Sequence, residues 1–179
     1  MKATGIVRRI DDLGRIVIPK EIRRTMRIRE GDPLEIYTES DGTVIFKKYS
    51  PIGELSEFAG QYAEALAKST GLTCCISDTD TIIAVSGAPK KELSDKKLSS
   101  DAEKIMHGKT GYVASKNGKD ISVIDGNDVY KAGVIAPIVF EGDSIGTVMI
   151  LSSDGTRTFG DVESKLAEVA AGFLGKTME

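Results

Sequence analysis

The 179-residue sequence predicts an α+β protein in two parts. The first is a small, basic, β-rich head over residues 1–50 that needs a second copy to fold. The second is a larger α/β tail, an antiparallel sheet flanked by helices, over residues 56–179, with a hinge at 51–55 between them. Three observations predict this. Charge is divided: the first 50 residues hold eleven Lys or Arg against eight Asp or Glu, and the remainder hold thirteen against nineteen. The head offers only short apolar runs broken by turn residues, too little surface for a core of its own. The tail opens and closes on apolar stripes at helical spacing, with strand-length apolar runs between them.

In the head, residues 4–10 read as a strand, with Ile6 and Ile10 on one side and Val7 on the other. Asp11-Asp12-Leu13-Gly14 is a turn, since Asp and Gly tolerate its dihedrals. Residues 15–18 form a second short strand. Pro19 ends it and suits the first position of a helix, where its missing N–H has no acceptor to lose. Ile22 and Met26 then stack one turn apart, and Lys20, Arg23, Arg24 and Arg27 occupy the rest of the helical surface. Gly31-Asp32-Pro33 breaks the helix. Leu34, Ile36 and Thr38 alternate with Glu35 and Tyr37, Asp41-Gly42 signals a hairpin, and residues 43–46 return. Four short strands and one helix imply an obligate dimer through this segment. Within residues 1–29 there are nine basic and three acidic side chains. Doubled by a two-fold axis, that surface suits a pseudo-palindromic site on double-stranded DNA.

Thr4-Gly5-Ile6-Val7-Arg8, then Leu13-Gly14-Arg15-Ile16-Val17-Ile18-Pro19 and Glu21-Ile22-Arg23-Arg24, resemble the AbrB-type transition-state regulators. Leu34-Glu35-Ile36-Tyr37 and Lys47-Lys48-Tyr49 match as well. The resemblance implies a swapped-hairpin barrel in which two chains interleave, with DNA contacts from Arg8, Arg15, Arg23 and Arg24. Arg9 falls on the opposite face of a regular strand from Arg8 and is left for a flanking phosphate or for no contact. Arg27 continues the helical line from Arg23, and Lys20 lies beside it. Antitoxins of the same fold also bind their promoters, but the folded tail here is longer than the short tail with which they wrap a toxin.

In the tail, residues 54–69 predict an amphipathic helix with Leu55, Phe58, Tyr62 and Leu66 in line. Residues 74–77 and 81–86 are strands around Asp78-Thr79-Asp80. A lysine-bearing loop follows, and residues 95–108 are one or two helices with Leu98, Ile105 and Met106 turned inward. Lys116-Asn117-Gly118-Lys119 is a turn and residues 121–124 a candidate strand. Residues 132–140 and 144–151 are longer strands joined by Glu141-Gly142-Asp143. Residues 159–173 close the chain as a helix carrying Val162, Leu166, Val169 and Phe173. The order of elements, and Gly133-Val134-Ile135-Ala136-Pro137-Ile138 with Gly146-Thr147-Val148-Met149-Ile150, resemble a GAF-type domain. That likeness implies oligomerisation through the flanking helices, giving a tetramer of the head's dimers, and leaves room for an unidentified small-molecule effector. The alternative for the stripes is that each covers its own sheet.

Catalysis has no candidate residues. Cys74 and Cys75 are adjacent, which excludes an internal disulfide framework and fits a reducing cytoplasm. A lone His107 cannot build a metal site, and no cofactor motif is present. No apolar run is long enough for a membrane span, and the first ten residues lack a signal-peptide core. An AbrB-type head joined to a GAF-type tail resembles sporulation-stage regulators of spore-forming bacteria. The resemblance implies activation and repression of forespore genes. Two other readings are weighed: an oligomerising interaction protein whose basic head docks an acidic protein, and a GAF-like enzyme such as a sulfoxide reductase, which needs an accessible reactive cysteine.

Overall fold

The computed structural model describes residues 4–115, 118–127, 129–153 and 158–178. The chain divides into two compact units, Met1–Tyr49 and Ser50–Glu179.

In the head, α1 (Lys20–Thr25) is followed by the hairpin of β1 (Leu34–Thr38) and β2 (Val44–Lys48). The strands pair antiparallel with Leu34 opposite Lys48 and Thr38 opposite Val44. The Gly42 N–H closes the turn on the Glu39 carbonyl at 3.1 Å. Gly42 sits at φ +86, a conformation that glycine adopts without steric cost. Pro19 stands at the N-cap position, just before α1 rather than in its first turn, and its carbonyl accepts from the Arg23 N–H at 3.0 Å. The other end closes as a Schellman turn: the Ile28 N–H donates to the Arg23 carbonyl at 2.7 Å and the Arg27 N–H to that of Arg24 at 3.3 Å. Arg27 takes the left-handed position, at φ 52. It therefore lies past the helix and does not continue the line from Arg23, as the spacing had suggested.

Residues 4–10 and 15–18, expected as strands, run without a ladder. A strand exists only where a neighbour takes up its N–H and C=O groups. Here the Asp11 N–H closes on the Arg15 carbonyl at 3.1 Å, across the turn between the two segments.

The tail begins with a helical turn, α2 (Pro51–Glu54), in the segment expected as a hinge. Ser50 caps it: its Oγ accepts from the Gly53 N–H at 3.2 Å and donates to Asp78 Oδ2 at 3.1 Å. Ile52 is fully buried. Then come α3 (Ser56–Thr70), β3 (Thr73–Ser77), β4 (Ile82–Ser86), α4 (Lys90–Leu93), α5 (Ser100–Gly108), β5 (Tyr112–Val113), β6 (Lys131–Phe140), β7 (Asp143–Ser152) and α6 (Asp161–Lys176). The five strands form one antiparallel sheet in the order β4-β3-β7-β6-β5. Residues 121–124 are not a strand; Ser122 and Ile124 make isolated bridges to Lys131 and Leu98. The expected turn at 116–119 falls partly on residues 116 and 117, outside those described.

Period-two alternation divides the core between the two faces of the sheet. Cys74, Ile76, Val134, Ala136, Ile138, Val148 and Ile150 pack with α3 and α6. Cys75, Ile135, Met149 and Leu151 pack with Leu93, Leu98, Ala102 and Met106 of the crossing segment.

The flanking helices cover the sheet mainly with small residues, Leu66 and Leu174 being the large ones among them, while Leu55, Tyr62 and Leu166 pack against the same core half-buried. From α3, Ala59, Ala63, Leu66 and Ala67 are buried, and from α6, Ala167, Ala170, Ala171, Leu174 and Gly175. A Cβ on Gly175 would meet the Val139 carbonyl oxygen at 2.5 Å, so α6 approaches β6 too closely for bulk at that point.

Candidate nucleic-acid interface

The head concentrates the cations that the sequence singles out. Arg8, Arg9, Arg15, Lys20 and Arg24 are exposed; Arg23 and Arg27 are half-buried. Lys20, Arg23 and Arg24 share the two turns of α1. Arg23 Nε is buried and has no hydrogen-bond partner.

Arg15 is carried by the turn before α1, and that turn is built on one carboxylate. Asp11 Oδ1 accepts from the N–H of Leu13 at 3.0 Å and of Arg15 at 2.8 Å. Asp11 Oδ2 accepts from Arg15 Nε at 2.8 Å. The Gly14 N–H closes the turn on the Asp11 carbonyl at 3.0 Å, with Gly14 at φ +74. The Arg15 hydrogen bonds hold the Asp11 carboxyl below the usual carboxylate range. Sequence reading took Asp11 only as a turn residue. Its spacing of four from Arg15 was the available signal for the pair.

Lys48 has a structural role. Its Nζ donates to the Arg27 carbonyl at 3.1 Å and pairs with Asp32 Oδ2 at 3.4 Å, fastening the end of α1 to the hairpin.

The head's apolar side chains are open. Among its described residues Pro19 alone is buried. Val7 is 86%, Leu13 69% and Val17 72% exposed. Ile6, Ile16, Ile18, Ile22, Met26 and Val44 help line a groove of about 650 Å³.

The two cysteines of the tail, Cys74 and Cys75, are both free and buried. Burial pushes the Cys74 thiol up to about 11, and burial drives that of Cys75 up as well, so neither supplies a thiolate near neutral pH. Among the described residues no group of His, Cys, Asp and Glu could hold a metal ion. No described helix is long and apolar enough to cross a membrane.

The tail instead presents one apolar strip. Val162 and Val169 of α6 are 69% and 65% exposed, and Phe58 of α3 is 47% exposed. The Tyr62 and Phe173 rings meet at 5.3 Å and join the two helices' outer flanks. At about 100° per residue, the Val162, Leu166, Val169, Phe173 line sits roughly a third of a turn from the line that contacts the sheet.

Residues 54–179 match the family model described as stage V sporulation protein T C-terminal, transcription factor. Over its whole length the chain is 53% identical to stage V sporulation protein T of Bacillus subtilis (strain 168), covering 99% of that protein. The chain belongs to the stage V sporulation protein T family. Members are transcription factors, and this chain is a transcription regulator rather than an enzyme. Residues 7–53 also match the family model described as antidote-toxin recognition MazE, bacterial antitoxin. A 51-residue stretch is 61% identical to the transition state regulatory protein AbrB of the same organism, covering 28% of this chain and 52% of that one. In fold the tail is similar to the GAF domain of an Acinetobacter phosphoenolpyruvate-protein phosphotransferase. That match has a TM-score of 0.57 at 12% identity and covers 69% of this chain and 81% of that one. It supports the architecture alone.

Proposed function

We propose that the protein binds double-stranded DNA through a pair of interleaved heads and controls forespore genes in the cytoplasm during sporulation, activating some and repressing others. The observation that carries this reading is the coincidence, in one small unit, of clustered cations and an uncovered apolar interior. The open groove calls for a second copy, because about 25 cal/mol for each Å² of apolar surface is left in water without one. Interleaving two hairpins would give residues 4–10 and 15–18 the ladder partners that a single chain lacks. The same step would bring two sets of Arg8, Arg15, Arg23 and Arg24 together across a two-fold axis.

Arginine suits the task because its planar fork reaches phosphate oxygens or the O6 and N7 of guanine in bidentate fashion. Arg9, Lys20 and Arg27 lie at the margin and supply phosphate contacts. About eight cations per dimer give log K against log salt a slope near −7. Changing Arg23 or Arg24 to Ala is expected to weaken DNA binding and flatten that slope by about 1 to 2, while the dimer stays folded. Gel-shift titration across salt, with circular dichroism as control, tests it. Unchanged affinity in both variants removes the assignment.

The tail's role in this reading is assembly. The strip of Phe58, Tyr62, Phe173, Val169, Leu166 and Val162 suits pairing of α3 and α6 with those of another chain, which would join two head dimers into a tetramer. The other face of the sheet is filled by Leu93, Leu98, Ala102, Met106, Val123 and Ile135, all fully buried. A small-molecule effector enters there only if that packing opens, so assembly ranks ahead of sensing.

A further inference from the structure

We infer that Asp11 is a positioning residue for DNA recognition, one that sets the Arg15 guanidinium before DNA arrives and thereby favours specific over indiscriminate binding. The inference rests on the proposed contact role of Arg15.

The geometry is economical. A single carboxylate gathers two backbone N–H groups on Oδ1 and the Arg15 Nε–H on Oδ2, with all three distances between 2.8 and 3.0 Å. The first two bonds fix the loop and the third fixes the side chain. Because Nε is the atom engaged, both terminal nitrogens of the guanidinium stay available for a bidentate partner. Arg15 is 68% exposed at its side chain, so without the carboxylate it would sample many rotamers and lose that freedom on binding.

The arrangement has an electrostatic cost. A negative charge beside the contact repels phosphates, which weakens sequence-independent attraction. Such a residue is a poor choice for affinity and a good one for discrimination.

Asp11→Asn separates the two effects. Its amide oxygen can still accept from the Leu13 and Arg15 N–H groups, so the loop keeps its closure. The side-chain NH₂ then faces the Arg15 Nε–H, where neither group can accept. Two duplexes serve as probes: one enriched from a random-sequence library by the unmodified full-length protein, and poly(dI-dC). Asp11→Asn is expected to bind the enriched duplex more weakly and poly(dI-dC) more tightly, so that the ratio of affinities falls about tenfold. In an Arg15→Ala background the same change should leave the ratio where it is. In the DNA-free protein, the Arg15 Nε–Hε resonance should be slow to exchange with water and become fast in Asp11→Asn.

An unchanged ratio in Asp11→Asn, with Arg15→Ala impaired, overturns the positioning role and leaves the contact role standing. Arg15→Ala binding both duplexes like the unmodified protein overturns the contact role and this inference with it. If Asp11→Asn fails to fold, the resonance of the unmodified protein still decides: a freely exchanging Nε–Hε overturns the proposal.

Discussion

Cys74 and Cys75 stand side by side in β3 and face opposite sides of the sheet. Neighbouring strand residues must do so, which is why the pair can neither bond to each other nor act on a common substrate. Burial raises the Cys74 thiol from 9.0 to about 11, against a weaker opposing pull from the Thr70 hydroxyl. The folded chain therefore holds this proton where the unfolded chain has released it. Stability from this group is complete below pH 9 and is lost as pH rises from 9 towards 11. The same burial predicts that Ellman's reagent at pH 8 labels neither thiol in the native protein and both after denaturation. Rapid native labelling would contradict the packing of β3 and reopen a redox reading.

At the scale of the element, the turn between β6 and β7 gives a second expectation. Phe140 pairs with Asp143, so Glu141 and Gly142 form a two-residue connection. Both have positive φ, 48 and 86. A two-residue hairpin with two left-handed positions favours Asn-Gly, and Glu at the first carries a steric penalty. Glu141→Asn should raise the stability of the tail by about 0.5–1 kcal/mol, read from urea unfolding. Turns and apolar runs of this kind made the hairpins at residues 34–48 and 131–152 legible, because local chemistry alone decides them. The clustered arginines were legible for the same reason. Residues 4–10 and 15–18 carry strand-like patterns, but the hydrogen-bond partners that make a strand are not supplied within one chain. The short β5 has only two residues and no periodicity to detect. Helix orientation was harder still. Of the apolar line Leu55, Phe58, Tyr62 and Leu66, only Leu66 is buried and Leu55 and Tyr62 are half-buried against the core; close approach to a sheet selects alanine over bulk, so the line turned fully inward was the quieter one. The Asp11–Arg15 pair was written in a spacing of four, but outside a helix that spacing carries no geometric promise.

At the scale of the whole molecule, the strip along α3 and α6 gives the clearest test of assembly. Val169 is largely exposed, so Val169→Asp should leave the tail folded. On the proposed assembly it places a charge in an apolar contact between copies, and the tetramer should fall to a dimer joined by its heads. Native mass spectrometry of the full chain distinguishes the two masses; a tetramer surviving the change would move the interface elsewhere. The open head has a different consequence, one of dosage. If its interior is completed only by a second copy, the DNA-competent species grows with the square of chain concentration rather than in proportion to it. Unmated heads, with their apolar residues in water, are the natural prey of proteases, which would trim the low end of the response further. A modest rise in synthesis would then be read by the target genes as a threshold crossed.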